Sequence, residues 1–567
     1  VVAAVPRSGT PEKSSAPPCP GLAVSPAPES GPAGIRRLLL ASAAVLVVVL
    51  LFIAYLQVSR TYPENSDESN DLLMAWDILH GNVLMHGWYL SDVSFYTTEL
   101  PQYVLMVRLL GLHTDTAHVA AAMTYTLVVV LAALLARGTV SRREGWPRML
   151  LTAGIMFAPQ LGVAVFVLLL SLGHIGTAVP VMLTWLVLDR AKPRWPVPVI
   201  VGLLLTWVLI ADPLTLVVAI VPLVAVCALR VIRAVLAARR QAGQDSGWLP
   251  ASLQTQWYEV SLAAAAILSE GLASLINWLL KASGSFILHP VGYQLAPVHT
   301  WPKHAWVTAK GLLALFGAKP QGPAVELVFA LVHLAGVALV VWAMWQVARH
   351  FASRADRLSQ ILLVAIVVNV ALYVPSTLAD ATDLNAREFA VVLPFGAVLA
   401  GRTLAASIAS RDGVDKPRRW HRWLAPALLA ALVGYAASLG YAAAQPSVPA
   451  ANTQLAKFLA AHHLTSGIGG YWESSVVTVG SDGAVTVRAV APGKLQPDLW
   501  ESKGSWYTPG SHRATFLVTD SASGFFNHWQ PNPAALAAFG KPARTYHVGP
   551  YTVFVWNKNL LPQVNRP

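Results

Sequence analysis

A series of apolar runs, each about as long as a bilayer is thick and joined by short arginine-rich loops, limits this chain more than any other feature. The first run, LLLASAAVLVVVLLFIAYL (38–56), carries no charged side chain. At 1.5 Å per residue, about 20 helical residues cross a hydrocarbon layer of roughly 30 Å. Runs suited to this lie at 37–57, 116–136, 149–170, 173–188, 196–211, 213–232, 258–280, 324–347, 358–376, 388–404 and 422–443. The expected fold class is therefore an α-helical polytopic membrane protein with about eleven transmembrane helices. Composition agrees: only 12% of the 567 residues are charged, against about 25% in soluble domains. So few polar groups leave lipid to cover the apolar surface.

A net charge of +12 invites a nucleic-acid reading, but the basic residues are not gathered on a soluble fold. They sit in RGTVSRREGWPR (137–148), DRAKPRW (189–195), RVIRAVLAARR (230–240), RHFASRADR (349–357) and RDGVDKPRRWHRW (411–423). Positive charge in short loops between spans marks the cytoplasmic side. The expected setting is thus the plasma membrane, multi-pass, with membrane lipid and no nucleic acid as partner. Residues 1–34, rich in Pro, Ser, Gly and Ala, read as a disordered cytoplasmic tail. The first run is too long for a signal peptide and reads as a retained span with its N-terminus inside. An odd number of spans then puts the C-terminal segment outside. Cys19 and Cys227 form no disulfide framework and no metal pattern.

The transmembrane domain is expected over 35–445, with outer segments at 58–115, 281–323 and 377–387. Residues 446–567 differ in composition and read as a small extracytoplasmic α/β domain. Within it, ANTQLAKFLAAHHL (451–464) is an amphipathic helix pattern. GGYWESSVVTVGSDGAVTVRAV alternates around a Gly-containing turn as strand–turn–strand, and RTYHVGPYTVFVWNK (544–558) is a hairpin pattern.

Directly after the first span comes YPENSDESNDLLMAWDILHGN (62–82), crowded with carboxylates, Asp67 and Glu68 side by side and Asp71 a turn later. DLLMAWDILHGNVLMHGWYLSD then reads as a short amphipathic helix, with Trp76, His86 and Trp88, lying on the membrane surface. This arrangement would hold carboxylates just above the headgroups, where a lipid-linked polar substrate needs a general base or a metal-binding acid. A solvated acidic loop would show the same pattern.

The order of parts resembles the GT-C membrane glycosyltransferases: a first span, a large outer loop with an adjacent acidic pair, many further spans and a terminal outer domain. That superfamily includes protein O-mannosyltransferases, aminoarabinose transferases and actinobacterial arabinosyltransferases. The resemblance implies a polyprenyl-phosphate-linked sugar as donor and an envelope glycan, lipid or protein as acceptor. It also implies a catalytic acidic residue in the first outer loop, carried here onto Asp67 with Glu68 as its neighbour. Whether a divalent metal takes part is left open.

Transfer from a phosphate leaving group needs a base for the acceptor hydroxyl and positive charge for the departing phosphate. Arg387, in LADATDLNAREF, can meet a phosphate bidentately; snorkelling, or pairing with Glu388, is its alternative. Asp92, just before SFYTTELP, could shape the acceptor side. Glu270 lies within the run LAAAAILSEGLASLINWLL, and a carboxylate there usually faces a cavity or partner. Asp212 in IADPL reads as a plain helix cap before Pro213, with reach into the same pocket as Glu270 as its alternative. His289, His299 and His304 recur among interfacial aromatics without metal-ligand spacing. No Walker A loop, dinucleotide fingerprint or nucleophile elbow occurs in good context. Two rival readings remain: a proton-coupled secondary transporter, for which Glu270 should matter most, and a non-catalytic envelope polymer-handling protein. Convergence of Asp67 or Glu68, Glu270 and Arg387 on one cavity would separate them.

Overall fold

The computed structural model describes residues 32–159, 161–170, 173–242, 255–289, 293–320, 322–353, 355–379, 383–409, 421–493, 495–521 and 529–564. Most of the 1–34 tail, with Cys19, and most of the 411–423 loop lie outside these residues. Contacts divide the chain after Val49, and Leu50–Pro567 form one compact unit. The terminal region from 446 on therefore does not separate from the helices before it.

Helices occupy the apolar runs. Helix α1 covers Pro32–Ser59, and others cover Thr114–Arg137, Pro196–Ala211, Trp257–Ala282, Ala324–Arg349, Arg357–Tyr373, Val392–Ala409 and His421–Ala443. Among the described residues six helices are long and apolar enough to cross a membrane, and the protein is a multi-pass membrane protein. The run 149–170 is not one helix: Arg142–Ile155 stops, and Val163–Leu169 begins anew. Between them lie Pro159, which lacks an N–H, and Gly162, at φ +88°, a backbone that ends a helix.

The helix Thr114–Arg137 sets the scale. Its first turn is fixed to the chain just beyond α1 by a bidentate pair, Arg60 to Asp115, at 2.6 and 2.7 Å. Near its last turn Arg402 reaches the Leu135 carbonyl at 2.9 Å and Asp189 at 3.0 Å. Twenty helical residues separate these points by about 30 Å. The acidic segment and the arginine loops thus belong to opposite ends of the bundle.

The acidic segment is itself helical. Helix α2 runs Ser66–Leu79, starting before the predicted surface helix and including the carboxylates on its own first turns. Asn65 caps it: its Oδ1 accepts from the Asp67 N–H at 2.9 Å, and the Asn65 N–H returns a bond to Glu68 Oε2 at 3.0 Å. This reciprocal box satisfies two N–H groups that a helix start leaves unpaired. Leu72, Leu73, Met74 and Ala75 are buried with Trp88, Tyr103 and Phe286, so the apolar face lies against protein. Trp88 is not helical; it opens strand β1 (Trp88–Leu90).

Strand β1 holds three distant segments together. It pairs parallel with β2 (Ile287–Leu288) and antiparallel with β5 (Ser502–Lys503), in register Tyr89 to Ile287 and Tyr89 to Ser502. Lys503 adds an ion pair to Asp77 of α2 at 2.9 Å. The terminal region is built on a second sheet of five strands: β3 (Ser466–Gly469), β4 (Thr486–Ala489), β6 (Phe516–Asp520), β7 (Arg544–Val548) and β8 (Tyr551–Val555). Their order is β4-β3-β6-β8-β7. The hairpin 544–558 and the helix within 451–464 form as their patterns indicate. The first half of the predicted strand–turn–strand does not: 471–473 is a 3-10 turn and Ser475–Gly480 a helix. Val476, Val477 and Val479 are all buried, and adjacent residues of a strand would point to opposite faces.

Asn65→Ala should destabilise the folded protein by about 0.5–2 kcal/mol, the usual cost of a lost N-cap. Thermal unfolding of the detergent-solubilised chain should show a lower midpoint, and Asn65→Ser should restore most of it.

Candidate active site

Where α2, β1 and the terminal region meet, a cavity of about 320 Å³ opens. Five stretches of chain line it. Helix α2 gives Asp67, and the exit from β1 gives Ser91, Asp92, Val93 and Phe95. The broken-helix region gives Phe166 and His174, and the 3-10 helix Asp383–Phe389 gives Leu384, Asn385, Arg387 and Glu388. The terminal region gives Tyr471, Trp472, Trp500 and Glu501. The three-stranded sheet explains the meeting: β1 ends just before Ser91 and Asp92, and β5 begins just after Glu501. Pairing the two strands brings both ends to one place.

The adjacent acids part company. Asp67 lines the cavity and accepts from the Tyr471 hydroxyl at 2.7 Å. Glu68 is turned away, fully buried, with one oxygen spent on the capping box and Oε1 without a hydrogen-bond partner. Of the two candidates for catalysis, geometry leaves Asp67 in the cavity and makes Glu68 part of the helix start. Burial is the main force on both. It raises Asp67, an effect opposed by Arg387 and the Tyr471 hydrogen bond. It pushes Glu68 up to about 8, with repulsion from Asp67 adding to the rise. Behind them Glu64 and Asp71 are also buried, each with an unpartnered oxygen, and burial holds both well above the usual carboxylate range. An ionised carboxylate with a bare buried oxygen is costly, so this layer favours protonated acids.

Glu501 stands opposite Asp67. The Tyr471 oxygen lies 2.7 Å from Glu501 Oε2, and Asn70 Nδ2 donates to the same hydroxyl at 3.0 Å. Glu501 has φ +46°, a left-handed backbone rare for a side chain with a Cβ, held by the strand that starts at its neighbour. Arg387 lies 3.7 Å from Glu388, so the predicted pairing exists while the guanidinium still lines the cavity. Glu388 in turn is 3.4 Å from His174 Nε2, whose Nδ1 is 2.7 Å from Asp212. Both ring nitrogens face carboxylates, an arrangement that only an imidazolium satisfies at both ends. The loop carrying His174 is tied down by Glu99, which accepts from the Gly176 N–H at 2.9 Å. A Cβ on Gly176 would sit 2.0 Å from that carboxylate oxygen, so glycine is needed there.

The structure brings Asp67, Asp92 and Arg387 to one cavity. Asp92 accepts from the Tyr293 hydroxyl at 2.8 Å. Glu270 is elsewhere: it is exposed on helix Trp257–Ala282 and accepts from Ser274 of its own helix at 3.0 Å. That removes the geometric ground for a shared pocket with Asp67. Asp212 does more than cap a helix, since it also orients His174. Of the loop histidines, His289 packs near Trp500 and His304 is buried against the Val374 carbonyl. Among the described residues no group of three or more His, Cys, Asp or Glu is arranged to hold a metal ion. His174, Tyr471 and Glu501 were not singled out from the sequence. His174 carried a signal, an ionisable side chain inside an apolar stretch; Tyr471 and Glu501 carried none.

No protein-family model and no curated protein matches the sequence. Solved structures do match in fold. ArnT from Cupriavidus metallidurans in the apo state aligns at 13% identity over 92% of this chain and 98% of that one, with a TM-score of 0.52. The same protein bound to undecaprenyl phosphate aligns at 12% identity over 91% and 98%, TM-score 0.49. The Archaeoglobus fulgidus oligosaccharyltransferase in its apo form aligns at 12% identity over 84% and 69%, TM-score 0.45. The fold of this chain is similar to that of ArnT.

Glu68 has a folded pKa near 8 against about 4.3 in an unfolded chain. The native state therefore holds the extra proton between these values, and stability falls as pH rises through that window. Glu68→Gln keeps a side chain able to close the capping box but cannot ionise. Its thermal midpoint should change less between about pH 5 and pH 8 than that of the wild type.

Proposed function

We propose that the protein is a membrane glycosyltransferase that moves a sugar from a polyprenyl-phosphate donor to a cell-envelope acceptor on the outer face of the membrane. One observation carries the reading: Asp67 and Arg387, from opposite halves of the chain, face the same cavity. Asp67 is the base. It takes the proton of the acceptor hydroxyl as that oxygen attacks the anomeric carbon, and the bond from that carbon to the phosphate oxygen breaks. The electron pair leaves with the phosphate, whose growing charge Arg387 meets with a planar pair of donors.

The surroundings suit this division of labour. Trp472 and Trp500 offer flat apolar faces against which a sugar ring can pack, and Phe95, Phe166 and Leu384 make the wall apolar beside them. A cavity of about 320 Å³ is at the small end of ligand sites, a size for a sugar phosphate with the prenyl chain left in lipid. The arginine loops, about 30 Å away along the bundle, support an outward orientation for the site by the positive-inside rule. The architecture is shared with ArnT, a protein crystallised with undecaprenyl phosphate.

The test uses membranes of a strain lacking the chain, complemented with variants and supplied with radiolabelled polyprenyl-phosphate sugars. Asp67→Asn should lower transfer by about 10²–10⁴-fold, the usual worth of a general base. Arg387→Ala should cut it comparably, Arg387→Lys should recover only part because a point charge lacks the planar fork, and Glu270→Gln should leave it unchanged. In the deletion strain one envelope glycosyl residue should disappear while its prenyl-phosphate donor accumulates. An unaltered glycan profile, or full activity in Asp67→Asn, would overturn the proposal.

A further inference from the structure

We infer that Asp67 and Glu501 hold a single proton between them through the Tyr471 hydroxyl, and that Glu501 is the positioning residue that leaves Asp67 ionised. The ground is a count of hydrogens. The Tyr471 oxygen lies 2.7 Å from Asp67 Oδ1 and 2.7 Å from Glu501 Oε2. A phenol has one proton to donate. Were both carboxylates ionised, one of them would face the phenol oxygen at that distance with no hydrogen between them. Asn70 does not supply it: its amide donates to the Tyr471 oxygen at 3.0 Å and more distantly, at 3.4 Å, to Glu501. One carboxyl group must therefore bring a proton of its own and donate it to Tyr471, whose hydroxyl then donates to the other.

Charge decides which acid holds it. From the 3-10 helix, Arg387 is the foremost charge acting to keep Asp67 ionised, whereas for Glu501 repulsion from Asp67 outweighs Arg387. From α2, Glu68 and Asp71 are also in repulsion with Glu501. Asp92, at the exit from β1, lines the same cavity and attracts Arg387. Burial and repulsion push Glu501 up to about 7. The resting order is Glu501–H to Tyr471 O, and Tyr471 O–H to Asp67. When the pair gives up this proton to solvent, both carboxylates are ionised, the single Tyr471 hydrogen has two acceptors, and Asp67 competes with Glu501 for the bond that orients it.

This inference rests on the proposed transfer only for its kinetic consequence. There, the rate should fall as pH rises through the upper titration of the pair, and Glu501→Gln, whose amide can donate to Tyr471 but cannot ionise, should remove that alkaline fall. The proton itself is read without any substrate, by pH-difference infrared spectroscopy of the full-length protein, in the carbonyl stretch of protonated carboxyl groups. Between about pH 6 and about pH 9 the wild type should lose this one proton in addition to that of Glu68, whose own titration every variant keeps. Glu501→Gln, Asp67→Asn and the double variant should all lack that same one-proton signal, a non-additivity that two independent acids cannot produce. Tyr471→Phe, which fills the same space, should split the titration into two. The inference is overturned if Asp67→Asn keeps the wild-type signal, or if the double variant loses two protons' worth. Absence of transfer from every donor, with the infrared count intact, would instead refute only the transferase reading.

Discussion

Everything at the candidate site depends on carboxylates of α2 being kept out of bulk water by a cover that comes from the other end of the chain. Asp67, Glu68 and Asp71 are on the first turns of that helix, and Glu64 sits just before its cap. Alone, such a helix would ionise its acids and disperse them in solvent. Here Ser475 donates to Asn70, Tyr471 to Asp67 and Lys503 to Asp77, all from beyond residue 470. Burying one face of α2 beneath this cover is what changes the acids from a solvated patch into a layer with raised affinity for protons.

That layer is graded. Its deepest members, Glu64, Glu68 and Asp71, each have an unpartnered buried oxygen, so they favour the neutral form. Asp67 alone reaches the cavity that Arg387 shares, and the guanidinium pulls it back toward the charged form. The environment thus separates neighbours of nearly equal intrinsic acidity into one group that faces the cavity and several that do not. The chain of His174, Glu388 and Asp212 does something comparable on the opposite wall. It fixes Glu388 against an imidazole, so that Arg387 faces a partner it touches only at 3.7 Å and keeps its donors available to the cavity.

The terminal region is accordingly a wall of the site. Its five-stranded sheet has apolar clusters on both faces, which makes it a firm body, and β5 leaves it to pair with β1. That one antiparallel register, Trp88 to Lys503 and Tyr89 to Ser502, brings Trp500 and Glu501 alongside the exit from β1. A shift of one residue would turn every side chain to the other face and carry Glu501 away from Tyr471.

Much of the bundle was legible in the sequence, because each spanning helix must satisfy its own backbone and present apolar side chains to lipid; both demands are local and show as runs of about 20 residues. The arginine loops and the acidic stretch after α1 were legible for the same reason. The break within 149–170 followed from Pro159 and Gly162, although the hydropathy of the run masked it. What the sequence left undecided was which of Asp67 and Glu68 faces the cavity, since two adjacent acids look alike until a cap on Asn65 claims one of them. It also left Tyr471 and Glu501 unmarked, and gave Glu270 a prominence that its exposed position does not support. Those assignments belong to tertiary structure, because they are set by strand pairing and burial between residues hundreds of positions apart, and no local pattern encodes such a distance.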